Sequence, residues 1–175
     1  MTTEHADVDA AIRRYQAAQL GPSGESSDKV EAVHLLESHL AHPAAEAFLL
    51  SVLRDRDEYD VARVEVCKAL RASSPGVLGL GYADALLEVL RSEDDVIVRQ
   101  WAAQALLPFC HLPEVAHALA DRVADAREDP DVRHNSVATL RRAAIGSAER
   151  ALLETVLSDA DIGPAVGALL RRSSQ

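Results

Sequence analysis

The amino-acid sequence predicts an all-α fold, a right-handed α-solenoid of stacked antiparallel helical hairpins. Three observations predict it. One seam recurs, as Val61-Ala62-Arg63-x-x-Val66-x-x-Ala69-Leu70, then Val98-Arg99-x-x-Ala102-x-x-Ala105-Leu106, then Val132-Arg133-x-x-Ser136-x-x-Thr139-Leu140. Arg63 and Arg99 stand 36 residues apart and Arg99 and Arg133 stand 34 apart, the period of stacked helical pairs. Within each unit the apolar residues keep helical spacing, and no clean alternation points to a sheet. Hydrophobic residues make up 48% of the chain and aromatics only 3%, so Leu, Ala and Val must carry the packing, as thin and closely approaching helices require.

The elements follow in order. Residues 6–20 place Val8, Ala11, Ile12 and Tyr15 on one stripe, a lone first helix. Gly21-Pro22-Ser23-Gly24 ends it, and a loop runs to Ser27. Asp28 is the expected cap of the next helix, where Ala32, Leu35 and Leu36 match Val66, Ala69 and Leu70. This unit lacks the Val-Arg pair and offers Asp28-Lys29 instead. Pro43 opens its second helix at a position that loses no hydrogen bond. A second hairpin opens near Asp60, breaks at Ser73-Ser74-Pro75-Gly76 and returns through Tyr82, Leu86, Leu87 and Leu90. A third opens after Glu93-Asp94-Asp95, ends near Pro108 and returns from Pro113 through Val115, Leu119 and Val123. The fourth opens at Asp129-Pro130-Asp131, turns at Gly146-Ser147 and returns through Leu152, Leu153, Val156 and Leu157. A last helix from about Asp161 is weakened by Gly163 and Gly167. Residues 1–27 therefore read as a capping helix and loop, and 28–175 as a repeat domain of about four hairpins and a terminal helix.

Acidic residues number 28 against 18 basic, a net charge of −10, which repels phosphate backbones and favours a basic partner. Cys67 and Cys110 fall among apolar positions and read as buried thiols rather than a disulfide, in keeping with a reducing compartment. Residues near the N-terminus form no apolar run of signal length, and no stretch nears eighteen uncharged apolar residues. The expected location is cytoplasmic, with no membrane role.

In this seam the chain resembles the HEAT-repeat family, particularly its short bacterial type. Asp129-Pro130-Asp131-Val132-Arg133 is similar to that family's Asp-Pro-Asp-x-x-Val-Arg opening with two spacers missing, and Asp94-Asp95-Val96-Ile97-Val98-Arg99 keeps the longer spacing. Glu58-Tyr59-Asp60-Val61-Ala62-Arg63 departs by putting Ala between Val and Arg. The resemblance covers roughly residues 28–170. It implies a ladder between neighbouring repeats, built here from Asp57 or Asp60, Asp95 and Asp131 with Arg63, Arg99 and Arg133. It also implies an armadillo-like curved stack whose second helices line the concave side.

Aligning Leu49, Leu86, Leu119 and Leu152 brings Ser51, Glu88, Asp121 and Glu154 into one column and Ala47, Asp84, His117 and Arg150 into another. Three acids in the first column would steer a basic helix, tail or peptide. The expected contact residues are Asp84, Glu88, His117, Asp121, Arg150 and Glu154, acting by electrostatic steering and hydrogen bonding. Trp101 is expected to fill space in the first-helix layer, and Tyr59 to be an exposed loop residue. The reading is a scaffold or adaptor for a protein or peptide, with no enzymatic activity and no catalytic residue, cofactor or metal assigned. His34, His39 and His42 lack the i, i+4 spacing of a helical zinc site. His111 beside Cys110 has no orienting group. An enzyme-associated factor similar to bilin lyases, and a nucleic-acid-binding HEAT-like protein, are the alternatives, the second made unlikely by the acidic column. Self-association through Leu-rich terminal hairpins is the other partnership that the array permits.

Overall fold

The computed structural model describes residues 3–22, 24–92 and 95–173. Ser23, Glu93, Asp94, Ser174 and Gln175, placed above in loops and the tail, lie outside the described residues. The described chain is helical throughout: α1 (Thr3–Ala17), α2 (Ser27–Leu36), α3 (Pro43–Arg54), α4 (Asp60–Ala72), α5 (Leu80–Ser92), α6 (Val96–Ala105), α7 (Pro113–Ala124), α8 (Pro130–Leu140), α9 (Ser147–Glu154) and α10 (Gly163–Arg172). Single 3-10 turns at Glu37–His39 and Leu107–Phe109 follow α2 and α6.

The helices stack in two layers. One runs α2, α4, α6, α8, α10, each packed on the next; the other runs α1, α3, α5, α7, α9. The pairs α1/α2, α3/α4, α5/α6, α7/α8 and α9/α10 join the layers most closely. The hairpins set out from sequence, α2/α3 and its successors, meet less closely. The result is a solenoid-like stack of helix pairs, with α5 and α7 the loosest neighbours of their layer. Between the layers lie Leu36, Leu49, Leu53, Leu70, Leu86, Leu90, Leu106, Leu119, Leu140 and Leu153, all fully buried. Each short helix would be marginal alone; stacking buries its stripe against neighbours on two sides.

The seam's small residues allow close approach. Ala62, Ala102, Ala103 and Ala105 are inaccessible to solvent, and in the fourth repeat Ser136 and Thr139 take their places. Those two hydroxyls are satisfied there: Ser136 Oγ donates to the Val132 carbonyl at 2.8 Å, and Thr139 Oγ1 to the Ala103 carbonyl of the adjacent helix at 2.9 Å. The Tyr82 hydroxyl likewise crosses the stack to the Leu40 carbonyl at 3.1 Å.

Local chemistry sets the boundaries. Pro43, Pro113 and Pro130 each sit in the first turn of a helix, where no intrahelical donor is lost. Asp95 caps α6 by accepting the Val98 N–H at 2.9 Å, and Asp129 caps α8 through Asp131 N at 2.9 Å and Val132 N at 3.4 Å. Gly76 holds the α4–α5 turn at φ 80°, a region that favours glycine.

Several expectations are corrected. Ser26, not Asp28, caps α2 by accepting from Lys29 N; Asp28 lies in the first turn and pairs with Arg14 at 2.9 Å. The first helix begins and ends about three residues early, at Thr3 and Ala17. Helix α9 stops at Glu154, so Leu157 leaves the buried stripe and is exposed. Just beyond the stop Gly163 packs closely, since a Cβ there would lie 2.5 Å from the Leu157 carbonyl oxygen. Tyr59 is half-buried against the core rather than exposed. Cys67 is buried as expected, but Cys110 is half-exposed in the turn after the second 3-10 segment, with its thiol on the Arg142 carbonyl at 3.3 Å.

Candidate functional site

The recurring arginines do structural work, and of the expected Asp–Arg contacts the described residues show Arg63 with Asp60 inside one helix. Arg63 is almost inaccessible, at 1% exposed. Its Nη2 donates to the Leu53 carbonyl at 3.2 Å and its Nη1 to Asp60 at 3.3 Å within its own helix. Arg133 repeats the first contact, with Nε donating to the Val123 carbonyl at 3.0 Å. Leu53 and Val123 lie in the last turns of α3 and α7, whose carbonyls have no intrahelical donor, so each guanidinium closes the end of the preceding helix.

The carboxylates that join repeats come from the segment just before the next first-layer helix. Lys29 pairs with Glu58, Arg99 with Glu128 at 3.0 Å and Arg133 with Asp159 at 2.7 Å. Asp95 is a helix cap, and Asp57 is exposed beside Asp55. Asp131 is exposed and meets only Gln100, at 3.4 Å. Bonding to Arg133 and to the Asp161 and Ile162 amides holds the Asp159 carboxyl below the usual range. Burial works to raise Glu58, but Lys29 and the Tyr59 amide outweigh it and the carboxyl is lowered. Glu65 is lowered in the same way, with Lys68 and His34 overcoming burial.

Trp101 is half-buried against the core, with the Lys68 ammonium 5.1 Å from its ring centre, so packing and a cation–π contact tie α4 to α6.

The expected contact residues sit on α5, α7 and α9 of the second-helix layer. Asp84, Glu88, His117 and Glu154 are exposed; Asp121 and Arg150 are half-buried. Glu88 meets Arg54 at 3.1 Å across α3 and α5. His117 lies 3.8 Å from Asp121 on its own helix and 3.3 Å from Glu149 on α9. Arg150 donates to Ser173 Oγ at 3.0 Å. A shallow hollow of about 410 Å³ is bordered by Asp84, Leu87, Glu88, Arg91 and Ser92. Thus Asp84 and Glu88 share one surface, while His117 and Asp121 are joined through their own pair.

A second feature is a cleft of about 270 Å³ at the α1 end of the same layer, lined by Tyr15, Gln16, Lys29, Phe48, Ser51, Val52, Asp55 and Glu58. The Tyr15 and Phe48 rings meet edge-on at 5.1 Å, and the Lys29 ammonium lies 4.7 Å from the Tyr15 ring centre. Tyr15 is 3% exposed and its hydroxyl makes no hydrogen bond of ordinary geometry among the described residues. Burial, then the Glu58 charge, pushes this phenol well above its ordinary value. Sequence reasoning saw Tyr15 only as core; the available signal was Lys29, which stands 34 residues before Arg63 in the seam.

The histidines diverge. His34 turns to Glu65 at 3.2 Å and His39 to Glu4 at 3.6 Å, while His42 accepts the Ala44 N–H at 3.3 Å and meets His5 at 3.2 Å. Among the described residues no three His, Cys, Asp or Glu side chains converge to hold a metal ion. Burial raises the Cys67 thiol to about 12 and also raises Cys110, so neither is set up as a thiolate. Among the described residues no helix is long and apolar enough to cross a membrane. No family model, curated protein or solved structure matches the chain.

Proposed function

We propose that this protein is a non-catalytic scaffold that holds a basic protein segment or peptide along its second-helix layer. One observation carries this reading: the acids aligned on the second layer stay at its surface, where a partner's cations can reach them. In the first layer and its approach segments, Glu58, Glu65, Glu128 and Asp159 are substantially buried and each is held by a cation of the stack. On the second layer, Asp84 and Glu154 are exposed, and Glu88 and Asp121 are engaged only in surface pairs with Arg54 and His117. Such pairs contribute little, roughly 0–1 kcal/mol, and can exchange for a partner's cations. With a net charge of −10 behind them, these acids steer a basic chain toward the face. The Val-Arg seam and its period support a HEAT-like stack, right-handed, with the second helices on the concave side where an extended partner would lie.

The test is charge reversal of Glu88, Asp121 and Glu154 to Lys together, with folding followed by circular dichroism and binding of an arginine- and lysine-rich peptide followed by calorimetry. Affinity should fall at least tenfold at low salt, roughly 1.4 kcal/mol. Wild-type affinity should itself weaken as the Debye length shortens from about 10 Å at 0.1 M salt to about 3 Å at 1 M. A folded triple variant that binds as tightly as the parent would remove this face from the reading.

A further inference from the structure

We propose that the cleft between α1 and α3 is a receptor for one guanidinium group, an arginine side chain of a bound basic segment. This deepens the scaffold reading and rests on it for the basic character of the partner. The argument begins with register. Lys29, Arg63, Arg99 and Arg133 occupy one column of the stack, 34, 36 and 34 residues apart, and Arg99 pairs with Glu128 as Lys29 pairs with Glu58. Arg63 sends its own guanidinium under α3 to the Leu53 carbonyl at 3.2 Å, and Arg133 sends its own under α7 to Val123 at 3.0 Å. The groove around Arg63, bordered by Leu53, Arg54 and Glu88, retains only about 10 Å³. At the corresponding place in the first repeat the chain supplies a lysine. Its ammonium is a compact point charge drawn to Glu58 over the Tyr15 ring, and the groove stays open at about 270 Å³.

The lining selects the occupant. Asp55 and Glu58 bring two carboxylates against the single ammonium of Lys29, so the cleft carries one uncompensated negative charge. Gln16 lies in the last turn of α1, and Ser51 and Val52 in the last turn of α3, so the negative ends of two helix dipoles also meet here. An anion is excluded by these terms and a cation is favoured. The Tyr15 and Phe48 rings provide aromatic walls on which a planar guanidinium stacks.

The Tyr15 hydroxyl decides the matter. A polar group 97% withdrawn from solvent normally has a well-formed hydrogen bond; this one lies beside the Glu58 carboxylate and helps to lower it, but makes no bond of ordinary geometry among the described residues. A phenol oxygen beside a carboxylate can accept one N–H while the carboxylate accepts another, a division that suits the five-donor fork of arginine. The volume lies below the roughly 300–1,000 Å³ of small-molecule sites, and so fits one side chain rather than a cofactor.

The experiment is a nuclear magnetic resonance titration of the full chain with three blocked tripeptides, Gly-Arg-Gly, Gly-Lys-Gly and Gly-citrulline-Gly. The arginine peptide should give saturable shifts at the Tyr15, Gln16, Ser51 and Asp55 amides, the lysine peptide should bind at least fivefold more weakly, and the uncharged citrulline peptide should not bind. Tyr15→Phe, which keeps the ring, and Asp55→Asn should each weaken the arginine peptide at least threefold. Lys29→Arg supplies the column's own guanidinium and should abolish peptide binding while raising the melting temperature. The Glu88, Asp121 and Glu154 triple reversal should bind the tripeptide as the parent does, which separates failure of the cleft from failure of the extended face. Shifts that do not saturate, equal binding of citrulline, indifference to both Tyr15→Phe and Asp55→Asn, or loss of the tripeptide in the triple reversal would each overturn the assignment.

Discussion

Arg63→Lys isolates the contact by which the seam arginine supports the stack. The substitution keeps the positive charge, so the cost of burying a cation is nearly unchanged, and only the reach and fork geometry are lost. Arg63 is 1% exposed, and its contacts include the Leu53 carbonyl at 3.2 Å and Asp60 at 3.3 Å. Asp60 is 52% exposed, so water can replace that partner at little cost. The Leu53 carbonyl closes α3 from inside the stack, and a shorter ammonium cannot hold both it and Asp60. Loss of one charge-assisted hydrogen bond of this kind costs about 1.5–3 kcal/mol. For a chain of this length each kcal/mol lowers Tm by roughly 2–4 °C, which gives a fall of about 3–12 °C. Asp60→Asn, removing the exposed ion pair alone, should cost no more than about 0.5 kcal/mol. Thermal unfolding at 222 nm measures both, and hydrogen exchange should show faster opening at the C-terminal turn of α3 in the lysine variant alone. An Arg63→Lys protein as stable as the parent, or an Asp60→Asn protein destabilised as much, would refute the helix-closing role.

Three further outcomes follow from the same packing and electrostatics. Ala102 is inaccessible between α4 and α8, and Ala102→Leu should force them apart at about 1–3 kcal/mol, read as a lowered urea midpoint with an unchanged slope. Because the Asp159 carboxyl is lowered in the folded state, its contribution is complete above the unfolded value of about 3.9 and is lost as pH falls through the lower folded value; the acid limb of a stability-against-pH curve should therefore be shallower in Asp159→Asn. Burial sets the order of thiol labelling: at pH 8 a disulfide reagent should modify half-exposed Cys110 first, and should reach Cys67, raised to about 12, only on the timescale of unfolding, which stopped-flow absorbance in increasing urea resolves.

Those predictions rest on a seam that could be read without coordinates, because burial along a stacked helix repeats at a fixed spacing. Val66, Ala69, Leu70, Val98, Ala102, Ala105, Val132 and Leu140 are all in the core. The prolines were legible for a different reason: the cost of proline depends on its own turn alone, and Pro43, Pro113 and Pro130 open helices whatever surrounds them. Partners were not legible. Lys29 reaches Glu58, Arg99 reaches Glu128 and Arg133 reaches Asp159, across 29, 29 and 26 residues, to carboxylates other than the expected Asp57, Asp60, Asp95 and Asp131. Their choice depends on how far a long side chain reaches toward the next repeat, which spacing does not encode. The end of α9 at Glu154 was not legible, since Leu152, Leu153, Val156 and Leu157 continue a helical stripe past it.

The cleft combines both situations. That the first unit carries Asp28-Lys29 where the others carry Val-Arg was plain from the sequence. What the exchange does was not, because it needs three elements at once: the ammonium drawn to Glu58, the end of α3 at Ser51 and Asp55, and the phenol of Tyr15 left without a well-formed hydrogen bond among the described residues. In a repeat array other units serve as an internal reference, Arg63 and Arg133 here, while Arg99 pairs with Glu128 as Lys29 does with Glu58. Arg63 and Arg133 show what the column does when it serves only the stack. A unit that departs from them opens its groove and leaves its phenol without a well-formed hydrogen bond, so it contributes less to the stack, and the Lys29→Arg exchange should restore that contribution as the cleft closes.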